Sequence, residues 1–169
     1  IPLQPQTALR SCEGRNVVES MEVTQGKLCM GFTTPITNRD EKFPAMQILN
    51  TIFGAGMTSK LFMNVREKMS LCYFIGSGYY GTKGIVTVSA GIDFDKEELT
   101  RQEVLRQLDA CRNGDITENE LKAAKEAILT SLRATHDSPG AIEGYYATAA
   151  LSGLRFTHSA YMEAVEAVT

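Results

Sequence analysis

Histidine, the usual zinc ligand and general base, is nearly absent: the 169 residues include two, His136 and His158, 22 positions apart. Neither has a second histidine at helical spacing, and the motifs His-Glu-x-x-His and His-x-x-Glu-His are both missing. A self-contained zinc hydrolase of either type is therefore excluded, and each histidine is expected to be a surface or capping residue. No Gly-x-Ser-x-Gly elbow occurs, so serine-based nucleophilic catalysis has no support. The four cysteines, Cys12, Cys29, Cys72 and Cys111, form no Cys-x-x-Cys pair, so we expect four buried free thiols in a reducing, cytoplasmic compartment. No apolar run approaches the about 18 residues of a membrane span, and Ile1-Pro2-Leu3 lacks the layout of a signal peptide, so no membrane partner is expected. Positive charge is also short, with 17 Lys and Arg against 20 Asp and Glu, a net charge of −3. Without a basic stripe, nucleic acid is excluded as the main partner.

What remains is an ordinary globular composition, 43% hydrophobic and 22% charged. A chain of this size buries roughly 70% of its unfolded surface. The first residue is not Met, and the last stretch stops inside a helical pattern of Tyr161, Ala164, Val165 and Val168. We therefore expect a piece of a longer polypeptide, truncated at both ends, with residues 1–14, which include Pro2 and Pro5, as a linker and 15–169 as a single domain.

Periodicity orders the elements. Val17, Met21 and Val23 alternate with polar residues, and so do Leu28, Met30 and Phe32 after Gln25-Gly26, which predicts a hairpin. A helix follows, capped by Asp40 or Asn38, with Pro44 in its first turn and Phe43, Met46, Leu49, Ile52 and Phe53 as its apolar stripe. Gly54 and Gly56 break it, and Thr58 caps a second helix that buries Leu61, Phe62, Val65 and Met69. Strands at 71–80 and 85–92 are joined by the turn Gly81-Thr82-Lys83-Gly84, with Val86, Val88, Ala90 and Ile92 on the apolar face. Asp95 with Glu98, and Thr117 with Glu120, read as capping boxes of two more helices: the first carries Leu99, Val104, Leu108 and Cys111, the second Leu121, Ala124, Ile128 and Leu132. Ser138-Pro139 starts another. Two hairpins with helices between and after them argue for an α+β two-layer sandwich, a mostly antiparallel sheet with helices on one face.

Few residues carry obvious chemistry. Gly54-Ala55-Gly56-Met57-Thr58-Ser59-Lys60 fails as a phosphate loop, because Ser59 stands where a glycine must precede the lysine and a helix rather than a strand leads into it. Asp93 and Asp95 lie between a strand and a helix, where N-capping is the expected role. The unusual segment is Val65-Arg66-Glu67-Lys68-Met69-Ser70-Leu71-Cys72-Tyr73, which puts an arginine and a tyrosine at a helix-to-strand junction.

The run from Phe53 to Phe62, followed by Val65-Arg66-Glu67-Lys68 and Leu71-Cys72-Tyr73, resembles the second-half signature of the pitrilysin and insulinase metallopeptidases, the family that includes the mitochondrial processing peptidases. The resemblance covers most of the chain, from Gly31-Phe32 to the closing 164–169. It implies related α+β halves closing like a clam shell around a peptide, with the inverted zinc motif in the other half. No cofactor is then expected in this chain and zinc in the partner half, whether that half is in the same chain or a partner subunit. The resemblance also implies that Arg66 and Tyr73 are catalytic, reaching the substrate backbone and reacting carbonyl. The expected function is the substrate-binding half of a zinc endopeptidase acting on peptides; the alternative is an inactive scaffold or peptide-binding subunit of the same family. Lys60 is expected to do no more than solvate a helix start, and Cys72 to be a small strand residue.

Overall fold

The computed structural model describes residues 14–20 and 22–169. Its sheet has three antiparallel strands, β1 (Gly26–Thr33), β2 (Cys72–Tyr80) and β3 (Ile85–Ile92), in the spatial order β1-β3-β2. Leu28, Met30 and Phe32 of β1 stand opposite Ala90, Val88 and Val86 of β3, and Ile75, Ser77 and Tyr79 of β2 flank the same three residues from the other side. Because alternate residues of a strand share a face, this register gathers the apolar side chains on one side. There they meet Met46, Phe53, Leu61, Val65 and Val104 from the helices. Leu61, Val65, Val88 and Val104 have 0% of their surface exposed, and burying each stabilises the fold by about 1.5–3 kcal/mol. The opposite face is nearly bare, with Cys29, Ser89 and Gly76 in one row and Gly31, Thr87 and Gly78 in the next.

The expected first hairpin is not formed. Residues 14–20, 22 and 23 carry no strand, Met21 lies outside the described residues, and β1 pairs with β3 instead. Val17 and Val18 are adjacent, so an extended segment would point one to each side, and both are exposed. The hairpin of β2 and β3 forms as its turn residues predict.

Helix α1 (Phe43–Asn50) starts without a side-chain cap. Asp40 is occupied in the preceding loop, where its carboxylate accepts from the Thr37 N–H at 3.0 Å and the Thr37 hydroxyl at 3.1 Å. Asn38 is likewise not a cap; its N–H donates to the Gly81 carbonyl. Pro44 relieves one of the N–H groups that a cap would serve. The helix then widens into a π-helical turn, Thr51–Ala55, and a second π-helix, Leu61–Lys68, follows. Within the first, Gly54 is a point of close approach: a Cβ there would lie 2.6 Å from Leu61 Cδ1 and 2.7 Å from Ser77 Oγ. Ser59 rather than Thr58 serves the start of the second π-helix, accepting from the Phe62 N–H at 3.3 Å. Met69 is exposed and Phe62 only half-buried, so the buried face narrows to Leu61 and Val65.

A 3-10 turn, Phe94–Lys96, leads into α2 (Glu97–Arg112), and neither Asp93 nor Asp95 caps these elements. Leu99, expected in the core, is exposed. The buried face of α2 is partly polar, because Gln107 accepts from Asn64 of the second π-helix at 2.8 Å and donates to Glu103 at 2.6 Å. Helix α3 (Glu118–Thr135) has the expected capping box of Thr117 and Glu120. Ser138 caps α4 (Pro139–Ser152) by accepting from the Ala141 N–H, and α5 (His158–Ala167) closes a second core with Phe43, Ile48, Ile52, Leu129, Tyr161 and Val165. The helices lie on one face of an antiparallel sheet, the expected α+β arrangement.

Lys60, His158 and two of the cysteines depart from expectation. Lys60 is buried and pairs with Glu120 at 2.9 Å rather than solvating a helix start. His158 is 4% exposed; its Nε2 lies 3.0 Å from the Leu132 carbonyl and its Nδ1 3.1 Å from His136 Nε2. A ring nitrogen facing a carbonyl carries the proton, so His158 is a core hydrogen-bonding residue that joins α3 to α5. Of the cysteines, Cys111 is buried, but Cys72 is half-buried and Cys29 exposed on the bare face, while Cys12 lies outside the described residues.

Candidate functional site

The site is built where two irregular elements meet. A π-helix with i→i+5 hydrogen bonds is rare and concentrates at functional sites, and here it carries Arg66. The chain leaves it through Ser70, at φ 49 the one non-glycine residue with positive φ among the described residues. It then enters β2 through a register shift: Cys72 pairs with Ile92 and Phe74 with Gly91, so Tyr73 between them has no partner. This is a β-bulge, the device that re-aims a side chain out of the alternation of a strand. Tyr73 is 56% exposed as a result.

Arg66 and Tyr73 line one open cleft of ≈ 460 Å³, together with Ser70, Cys72, Asp93 and Lys96. Arg66 is fixed from three sides. Its Nε donates to the Tyr73 carbonyl at 2.9 Å, its Nη1 pairs with Glu67 at 3.1 Å, and its guanidinium carbon stands 4.8 Å from the centre of the Phe62 ring. Nη2 has no acceptor among the described residues. The Tyr73 hydroxyl donates to Asp93 Oδ1, while Asp93 Oδ2 pairs with Lys96 Nζ at 3.0 Å, and Lys96 donates to the Ser70 carbonyl at 3.3 Å.

These bonds shift the titrating groups. The hydrogen bond to Asp93, and then its negative charge, hold the Tyr73 phenol above the usual tyrosine range. Donation from Tyr73, then from Lys96, holds the Asp93 carboxyl below its usual range, and the bond to Asp93 raises the Lys96 ammonium. Burial pushes the Cys72 thiol up against the opposing pull of Arg66 and Lys96, so it is a poor nucleophile. At neutral pH the cleft therefore offers a protonated phenol and a fixed guanidinium, two donors suited to an anionic or carbonyl oxygen.

The model of the peptidase M16 inactive domain matches residues 1–128. The chain belongs to the peptidase M16 family, as its inactive domain. Among M16 relatives, a protein of Bacillus subtilis described as a probable inactive metalloprotease is 32% identical over 92% of this chain, of which the chain spans 36%. An uncharacterised zinc protease of Rickettsia felis is 34% identical over 70% of this chain, which spans 29% of it. The crystal structure of a conserved protein from Enterococcus faecalis superposes with a TM-score of 0.79 at 32% identity, over 87% of this chain and 35% of that one. The family resemblance read from the stretch between Phe53 and Tyr73 is thus borne out, and the M16 domain here spans about a third of these relatives.

No group of three or more His, Cys, Asp or Glu residues able to hold a metal converges among the described residues, and His136 and His158 face each other with no third ligand. The described residues do not fit a zinc site. Among the described residues, no helix is long and apolar enough to cross a membrane. The sequence paired Arg66 with Tyr73, and the structure brings both to one cleft. Sequence reasoning missed Asp93 and Lys96 as their neighbours; the signal available was an Asp-x-x-Lys spacing directly after an apolar strand.

Proposed function

We propose that this M16 inactive domain is the zinc-free, substrate-binding half of a zinc endopeptidase, and that Arg66 and Tyr73 are its contribution to the active site. The observation that carries this reading is the bulge: Tyr73 is turned out of its strand into the cleft that also holds the guanidinium of Arg66. Hydrolysis of a peptide bond develops negative charge on the carbonyl oxygen. A phenol ring and a guanidinium already held at the cleft stabilise that charge with no movement beyond a turn of the phenol O–H bond. The free Nη2 of Arg66 also suits a backbone carbonyl of bound peptide, so Arg66 serves ground-state binding as well. Zinc belongs, in this reading, to a partner half in the same chain or in a second subunit, in a cytoplasmic protein whose residues 1–14 lead into a single domain at 15–169.

In the full-length protein, Tyr73→Phe removes one donor and keeps the ring. Its loss is expected to cost about 3 kcal/mol, a hundredfold to a thousandfold in turnover. Arg66→Ala is expected to lower turnover and also to raise KM. Steady-state kinetics on a quenched peptide, with zinc content measured alongside, tests this; wild-type turnover in Tyr73→Phe removes that residue from the site. The description of the Bacillus relative as probably inactive favours a second reading, a scaffold or peptide-binding subunit. In that case Arg66→Ala weakens peptide binding while no variant changes a turnover that is already absent.

A further inference from the structure

Asp93 does not do what its place in the chain suggests. It precedes the 3-10 turn with the extended backbone of a capping residue, φ −77 and ψ 149, yet its side chain accepts from no backbone N–H of that turn. Both carboxylate oxygens are committed elsewhere, Oδ1 to the Tyr73 phenol and Oδ2 to Lys96. Lys96 in turn reaches the carbonyl of Ser70. One chain of contacts therefore ties the exit of the π-helix, the bulged residue and the end of β3.

Tyr73 needs such a tether. More than half exposed and lifted out of the pairing of its strand, the side chain has little packing to choose among its rotamers. We propose that Asp93 is a positioning residue for Tyr73, fixing the phenol at the cleft, with Lys96 holding the carboxylate in place. This rests on the role proposed above for Tyr73 and adds what orients it.

Two consequences follow from the chemistry of the pair. A phenol has one proton to donate, and at rest that proton points at Asp93. A carbonyl oxygen turning anionic in the cleft competes for it, so the donation passes from Asp93 to substrate by rotation of the O–H bond, with no movement of the ring. The negative charge of Asp93 also opposes ionisation of the phenol, keeping Tyr73 a donor at pH values where an ordinary tyrosine is losing its proton. The charged and titrating groups that surround it are Lys96 and Asp95 on the 3-10 turn, Arg66 and Glu67 on the π-helix, and Cys72 beside it on β2. Of these, Lys96 pulls the phenol the other way and Asp95 pushes it further up.

The test uses the full-length protein with Asp93→Ala, the conservative Asp93→Glu, and Tyr73→Phe as reference. Asp93→Ala is expected to lower kcat about tenfold with KM within about twofold, the effect of losing a group that orients another. The alkaline limb of its kcat profile moves to lower pH, and Asp93→Glu recovers part of both changes. Ionisation of Tyr73 is read without any substrate, as the ultraviolet difference titration between each protein and its Tyr73→Phe counterpart. Its midpoint is expected to fall in Asp93→Ala. An Asp93 that only shapes the turn would lower the melting temperature and leave kcat and this midpoint where they were, and that result overturns the proposal. Wild-type turnover in Tyr73→Phe refutes the proposed function instead. Should the protein hydrolyse no peptide at all, the titration decides alone: an unmoved Tyr73 midpoint overturns the proposal and a lowered one supports it.

Discussion

The buried ion pair of Lys60 and Glu120 should be strongly lopsided in its energetics. Lys60 stands at the head of the π-helix that carries Arg66, with 8% of its side chain exposed, and among the described residues Glu120 is its one ion-pair partner. Glu120 is better served: 24% of its side chain reaches solvent, and it also accepts from the Thr117 N–H at 2.8 Å and the Thr117 hydroxyl at 2.9 Å. Removing one partner of a buried pair costs about 3–5 kcal/mol when the survivor is left uncompensated. Glu120→Gln keeps the capping box and strands the ammonium, so we expect about 3 kcal/mol of destabilisation. Lys60→Met leaves a carboxylate that keeps two hydrogen bonds and some water, so about 1 kcal/mol is expected. In the double variant no charge is stranded, and it should lie within about 1 kcal/mol of Lys60→Met. Urea unfolding followed by circular dichroism, with m-values compared, measures all three. Equal costs for the two single variants would refute the reasoning. The pair also sets a pH dependence. Burial alone would raise the Glu120 carboxyl, but the hydrogen bonds from Thr117 and Lys60 outweigh it and hold it below the usual range. Folding then protects the ionised form, so its stabilisation is present at neutral pH and is lost as pH falls through the folded value.

Three further outcomes are expected. Ser70→Gly relieves a left-handed backbone worth about 1 kcal/mol, partly offset by the freer unfolded chain, and should raise the melting temperature slightly. The Tyr79 phenol is pushed up to about 12, first by burial and then by Asp40, so stability should fall as pH rises from about 10 toward that value, and Tyr79→Phe should flatten that slope in alkaline melts. Purified chain should carry no stoichiometric zinc by metal analysis, and tight one-to-one binding would refute the assignment of zinc to a partner half.

Local signals were legible and distant ones were not. The turn at 81–84 and the capping box of Thr117 and Glu120 are written within four residues each, and both form. The π-helix hid behind Leu61 and Val65, whose spacing of four suits an ordinary helix equally well. The bulge at Tyr73 left no mark, because Cys72, Tyr73 and Phe74 all suit a strand on either face. His136 meets His158 across 22 residues, a contact that only tertiary packing creates. Asp93 was misread because an aspartate before a helical turn usually caps it. The roles proposed for Arg66 and Tyr73 come from the family resemblance, since periodicity singles out neither residue.

Both of these residues ride on elements that hold more residues than their regular counterparts, a wide helix on one side of Ser70 and a strand bulged by one residue on the other. A regular helix turns about 100° per residue, and a regular strand reverses direction at every step. Shortening the chain by one position within 61–68 would therefore let the helix tighten, keep its ends in place and swing the guanidinium around the barrel of the helix. Losing Cys72 would straighten the strand and place Tyr73 opposite Ile92, on the core side of the sheet. In this domain the aim of the two side chains is encoded in chain length as much as in residue identity. A one-residue deletion could leave a well-folded, even tidier protein whose arginine and tyrosine no longer face the same cleft.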